Sequence, residues 1–140
     1  MALDFGLVRI GVAISDPEGQ FAFPTTVLDA QDWESALAEV LSEYEPVVIY
    51  VGYPVTLSGD PGTSARMARE FAIELAGHFF GEIRLVDERL TTKAAMQEMR
   101  SSGKSEKESR SSIDAAAATL LLETVLSQEK NLSRFAGNPI

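Results

Sequence analysis

The chain has 140 residues, 45% of them apolar and 24% charged, which is enough to bury one core without staples. It has no cysteine and a single histidine, His78, so disulfides, thiolate zinc sites and histidine-rich metal centres are excluded. A formal net charge of −9 argues against a nonspecific nucleic-acid binder, and any metal must rest mainly on oxygen ligands, which points to magnesium or manganese.

Residues 1–5 and 9–15 read as two short strands joined by the turn Phe5-Gly6-Leu7-Val8. Gln20–Phe23 is expected as a third strand, ended by Pro24. Residues 33–45 carry an apolar stripe of Trp33, Leu37, Val40, Leu41 and Tyr44 and are expected as a helix, capped by Asp32 and ended by Pro46. Val47-Val48-Ile49-Tyr50-Val51 has the continuous β-branched character of a central strand buried on both faces. Gly52-Tyr53-Pro54 closes it, and a loop follows over 55–63. A helix is expected from about Ser64 to Phe80, with Met67, Phe71 and Leu75 inward and Gly81 as its stop. Residues 83–87 form the fifth strand. A short helix capped by Thr91 or Thr92 and closed near Gly103 comes next. Ser105 and Glu108 then match a capping box for a last helix over roughly 106–128. Ala115-Ala116-Ala117-Ala118 keeps that helix slim enough to lie close to a sheet, and the chain from Lys130 to Ile140 is expected to be a loose tail.

The order predicts one α/β domain over 1–129 and a flexible tail over 130–140. The domain is a five-stranded mixed sheet: an antiparallel meander, then parallel crossovers, with helices packed on it. No apolar run reaches the length of a membrane span, and the N-terminal residues show no leader pattern, so the expected location is the cytoplasm, with no membrane partner. Charge is uneven. Residues 1–65 carry ten acids and one base, whereas Arg84 to Arg110 hold seven bases against five acids, leaving room for a locally basic face.

Three acidic positions stand out by placement. Asp4 ends the first strand, Asp87-Glu88 end the fifth, and Asp114 sits among alanines on the last helix. Sites in parallel sheets form at the carboxyl ends of strands, so these acids would meet at one edge if the first and fifth strands flank the central one. Clustered carboxylates repel and are costly unless a cation compensates them, and divalent cations suit phosphodiester hydrolysis. Each position also has a plain structural reading. Asp4 fits a turn, Asp114 a favourable charge in a helix, and Asp87-Glu88-Arg89 a surface ion-pair run. Trp33 and Phe71 read as core, and Arg66 and Arg69 as solvated charge.

The segments Leu3-Asp4-Phe5-Gly6, Arg9 through Asp16 (RIGVAISD), Val51-Gly52-Tyr53-Pro54, Asp87 through Thr92 (DERLTT) and Ile113-Asp114-Ala115-Ala116-Ala117 occur in this order. Together they resemble the YqgF/RuvX family, related to Holliday-junction resolvases and built on an RNase H-like fold. The resemblance implies strand order 3-2-1-4-5 with helices on both faces. It also implies a metal-dependent nuclease that processes the 5′ end of precursor 16S rRNA. By motif position it implies Asp4, Glu88 and Asp114 as catalytic acids and ligands for Mg2+ or Mn2+. Asp87 stands in reserve, because strand alternation turns only one of the adjacent acids toward a metal. Arg9, Arg89 and Lys93 would touch the nucleic-acid backbone, and Thr92 would cap the helix beside the site. The sequence departs from the family pattern in the first turn, where Leu7 and Val8 replace a hydroxyl and a lysine. Two rival readings follow. One is a DNA-junction nuclease of the same chemistry, for which two symmetric cuts predict a homodimer; between monomer and homodimer the sequence itself does not choose. The other is a non-catalytic nucleic-acid or ribosome-assembly module.

Overall fold

The computed structural model describes residues 1–90 and 106–140, with side chains over 1–89 and 115–140. The short helix expected after Thr91 or Thr92, its end at Gly103 and the capping box begun by Ser105 lie outside the described residues. In chain order the elements are β1 (Ala2–Phe5), β2 (Arg9–Ser15), β3 (Ala22–Asp29), α1 (Glu34–Tyr44), β4 (Val48–Tyr53), α2 (Thr63–Leu75), β5 (Glu82–Asp87), a 3-10 turn (Glu88–Leu90), α3 (Glu106–Leu132) and β6 (Asn138–Pro139). One mixed sheet runs β3-β2-β1-β4-β5-β6. β1, β4 and β5 are mutually parallel, and β2, β3 and β6 pair antiparallel with their neighbours.

Strand alternation divides the core into two layers. On one face Leu3, Ile10, Val12, Ile49, Val51, Ile83 and Leu85 pack against Leu37 and Val40 of α1 and Phe71, Ala72 and Leu75 of α2. Trp33 closes this layer edge-on to Phe71, with ring centroids 5.2 Å apart, so both aromatics are core as their spacing predicts. On the other face Ala2, Ala13, Val48, Tyr50 and Val86 meet Ala118, Leu121, Leu122 and Val125 of α3. Small residues on both sides, Ala2, Ala13 and Ala118, all fully buried, let the helix backbone approach the sheet.

The structure corrects three boundaries. β3 runs through Pro24 to Asp29 rather than stopping at Phe23. Proline is tolerated because β3 is the outer strand and the register with β2 shifts beside it, between Val12 and Ala13. α2 ends at Leu75, not near Phe80. Gly77 takes the chain into a turn, its N–H donating to the Glu74 carbonyl, and the next N–H, of His78, donates to Leu75. α1 starts at Glu34 with no side-chain cap from Asp32. It ends where Glu45 turns left-handed (φ 45°) just before Pro46.

The largest difference is at the C-terminus, where a loose tail was expected. α3 continues to Leu132, and the chain returns to add a sixth strand on β5. Arg84 holds it there: its Nε donates to the Ala136 carbonyl at 2.6 Å and its Nη2 to the Gly137 carbonyl at 2.8 Å. Glu129 accepts both the Ala136 N–H and the hydroxyl of buried Tyr50. Burial and this carboxylate push the Tyr50 phenol well above its usual range. The added strand also covers what would otherwise be an open sheet edge at β5. Gly137 has φ 71°, and a Cβ there would overlap the Leu85 carbonyl and lie 3.0 Å from Val86 Cγ2. Gly137→Val should therefore undock β6 and cost about 1–3 kcal/mol in urea denaturation. Unchanged stability would contradict the docking described.

Candidate active site

Parallel pairing on both sides of β4 sets the site. Leu3 lies opposite Val51, Gly52 opposite Val86 and Tyr53 opposite Asp87. One step beyond Leu3, Asp4 reaches the level of Gly52. Leu3 and Val51 belong to the α1/α2 layer while Ala2, Tyr50 and Val86 belong to the α3 layer, so alternation turns Asp4 and Gly52 toward the α3 face.

Glu88, the first residue of the 3-10 turn, folds back over Gly52 on that face. A Cβ at Gly52 would overlap the Glu88 Oε1 and stand 3.0 Å from its Cδ and 3.1 Å from its Cγ. Asp4 and Glu88, both half-buried, thus occupy opposite sides of a glycine at the carboxyl edge of the sheet. Sequence reasoning passed over Gly52 as a strand terminator. The available signal was a glycine directly after a β-branched run, which marks a close approach.

α3 carries Asp114 one turn before Ala118, the residue it buries against the sheet. The side chain of Asp114, and the whole of Thr92 and Lys93, lie outside the described set. Among the described residues no three acids or histidines form a metal-binding group.

Asp87 is otherwise engaged. Its carboxylate accepts from Arg89 Nε at 2.9 and 3.1 Å, from Arg89 Nη2 at 2.5 Å and from the Arg89 backbone N–H at 2.9 Å. These bonds, the side-chain ones foremost, hold its carboxyl below the usual carboxylate range. Arg89 Nη1 also reaches the Leu57 carbonyl at 3.3 Å, so this arginine ties the loop after β4 to the end of β5.

Arg9 opens β2 on the same face as Asp4, and its carbonyl accepts the Gly6 N–H at 2.9 Å. A Cβ at Gly6 would sit 2.7 Å from that oxygen, which is why the turn needs glycine. Leu7 and Val8 form an exposed apolar tip on this turn. His78 stacks edge-on to Trp33, ring centroids 5.1 Å apart.

The donor set suits a hard cation. Two carboxylates stand at one sheet edge, Glu88 in the room left by Gly52 and Asp4 level with that glycine on the neighbouring strand, and carboxylate oxygens are the ligands such a cation takes.

Comparison with known proteins bears on what such an edge does. A family model described as RuvX, Holliday junction resolvase, matches residues 1–128. A Streptomyces coelicolor protein is 41% identical over 144 aligned positions, spanning all of this chain and 86% of its own length. A Thermobifida fusca protein is 42% identical, covering 93% of this chain and 87% of its own. Both are named, provisionally, as pre-16S rRNA nucleases. In fold the chain is similar to T. thermophilus RuvC in complex with Holliday junction substrate, with TM-score 0.55 at 18% identity, over 99% of this chain and 97% of that one. The expected RNase H-like architecture is thus present, with one strand more than expected. The chain belongs to the RuvX family, and so to the nucleases, hydrolases that act on phosphodiester bonds.

Proposed function

We propose that this nuclease is metal-dependent, binds Mg2+ or Mn2+ through Asp4, Glu88 and Asp114, and processes the 5′ end of precursor 16S rRNA. The observation that carries the site is the Glu88 carboxylate folded into the space left by Gly52, level with Asp4 on the face covered by α3. The helix position of Asp114, one turn before buried Ala118, supports it as the third ligand. The names of full-length relatives near 40% identity support the RNA substrate. The family description supports a four-way DNA junction as the rival substrate.

A divalent ion held there would neutralise charge at the scissile phosphate and act as a Lewis acid. The chain's own part is to present oxygen ligands on a rigid strand edge and to keep the loop after β4 in place through Arg89. Arg9 would meet the nucleic-acid backbone from the same face, and Thr92 and Lys93 from the segment after the 3-10 turn.

Cleavage of a precursor 16S fragment and of a four-way DNA junction, each in Mg2+, Mn2+ or chelator, tests the proposal. Chelator should abolish cutting, and the RNA should be the better substrate. Asp4→Asn, Glu88→Gln and Asp114→Asn should each lose more than about 100-fold in rate, since even outer-shell changes cost about 10–100-fold. Metal-independent cutting, or full activity in these variants, would refute the site.

Asp87→Asn separates the two adjacent acids. It should keep Mn2+ affinity in calorimetry within a few-fold, because its carboxylate serves Arg89, whereas Glu88→Gln should lose that affinity. The opposite outcome would make Asp87 the ligand.

Gly52→Ala should displace Glu88 while leaving the thermal melting point nearly unchanged, because the overlapped group is the end of a flexible side chain. Misplacing a reacting group by about 1 Å can cost on the order of 100-fold, so a rate loss of about 10-fold or more is expected in the same cleavage assay. Unaltered activity would show that the close approach at Gly52 is irrelevant to the site.

A further inference from the structure

The amino edge of the sheet, at the opposite end of the parallel strands from Asp4 and Glu88, holds an open groove of about 820 Å3. Its floor is apolar, built from Met1, Val48, Leu122 and Leu126. Large apolar side chains stand exposed along it: Phe23 at 51%, Tyr44 at 41%, Val47 at 75% and Phe135 at 42%. Apolar surface gathered in this way marks a contact site more often than chance exposure does.

Among the described residues the charged side chains of the groove have one sign, and the Met1 terminal amino group at its floor is buried and donates to the Val48 carbonyl at 3.1 Å. Five carboxylates line it among the described residues, and no lysine or arginine does. Two of the five are used by the fold. Asp16 accepts the N–H groups of Gln20 and Phe21 at 2.7 and 3.1 Å, and Glu129 accepts the Tyr50 hydroxyl. The other three, Glu18, Glu43 and Glu45, are exposed and make no hydrogen bond or ion pair among the described residues. They flank the apolar strip from two directions, the β2–β3 turn and the end of α1.

We propose that this groove docks a lysine- or arginine-rich segment of another protein that carries a large apolar anchor. The anchor would fill the apolar strip, and the cations would meet Glu18, Glu43 and Glu45. A nucleic acid is disfavoured here, because its phosphates would face carboxylates with no lysine or arginine among the described residues between them. The proposal does not rest on the nuclease reading, since groove and candidate site lie at opposite ends of the strands.

The test is fluorescence anisotropy with the full chain and a fluorescein-labelled peptide, Lys-Arg-Leu-Phe-Lys-Arg-Leu-Lys. The control peptide is Glu-Glu-Leu-Phe-Glu-Glu-Leu-Glu. The cationic peptide should bind saturably and the acidic one should not. Its affinity should fall as salt rises from about 0.05 to 0.3 M. The triple variant Glu18→Lys, Glu43→Lys, Glu45→Lys should weaken it about tenfold or more. Tyr44→Ser should also weaken it, with the salt dependence retained. All these positions are on the surface, and circular dichroism melting verifies that the variants fold.

Failure of the cationic peptide to saturate overturns the proposal, as does equal binding by the acidic peptide or by the triple variant. Light scattering that shows a dimer, converted to monomer by the triple variant, would assign the face to a second copy of the chain and overturn it equally.

Discussion

The parallel pairing of β1 and β5 on either side of β4 is the constraint from which the rest follows. It sets Asp4 and the end of β5 at the same level as Gly52, and alternation then decides which side chains share a face. The face that receives Asp4 is the one α3 covers, and the small residues Ala2, Ala13 and Ala118 let that helix lie close. Gly52 completes the arrangement by having no side chain. Any Cβ there would take the place of the Glu88 carboxylate. Sheet order, helix approach and the acids at the carboxyl edge are therefore one geometric fact seen at three scales.

Charge follows the same axis. A chain with net charge −9 is an unpromising binder of nucleic acid as a whole, but its acids are not spread evenly. Asp4 and Glu88 stand at the carboxyl edge, where the proposed metal would bind, and Asp87 is offset by Arg89. The exposed carboxylates Glu18, Glu43 and Glu45, unpaired among the described residues, collect at the far end of the strands. A polyanion approaching this molecule is repelled from that end, and the proposed cation-assisted site lies at the other. The acidic balance thus gives the domain a direction rather than excluding a nucleic-acid substrate.

Much of this was legible in the residues. The β-branched run at Val47–Val51 named the central strand, and the helical stripes of α1 and α2 named its cover. What escaped depended on tertiary context. Pro24 reads as a strand end, yet on an outer strand beside a register shift proline is tolerated. Gly77 stops α2 where local periodicity pointed to Gly81. The C-terminal segment has too little local pattern to announce a strand, and it docks because Arg84, far away in sequence, donates to two of its carbonyls. At the site, Asp87 and Glu88 are indistinguishable by type. Only the geometry separates them, since one carboxylate turns to Arg89 and the other folds over Gly52.

The central claim is that Asp4, Glu88 and Asp114 share one divalent-metal site. Crystals soaked in manganese, with diffraction recorded to locate the anomalous signal of the ion, test it most directly. The account predicts a peak coordinated by the carboxylates of Asp4, Glu88 and Asp114 beside Gly52, with Asp87 still paired to Arg89. A peak bound through Asp87 instead, or saturating manganese that leaves these three acids without an ion, would contradict it.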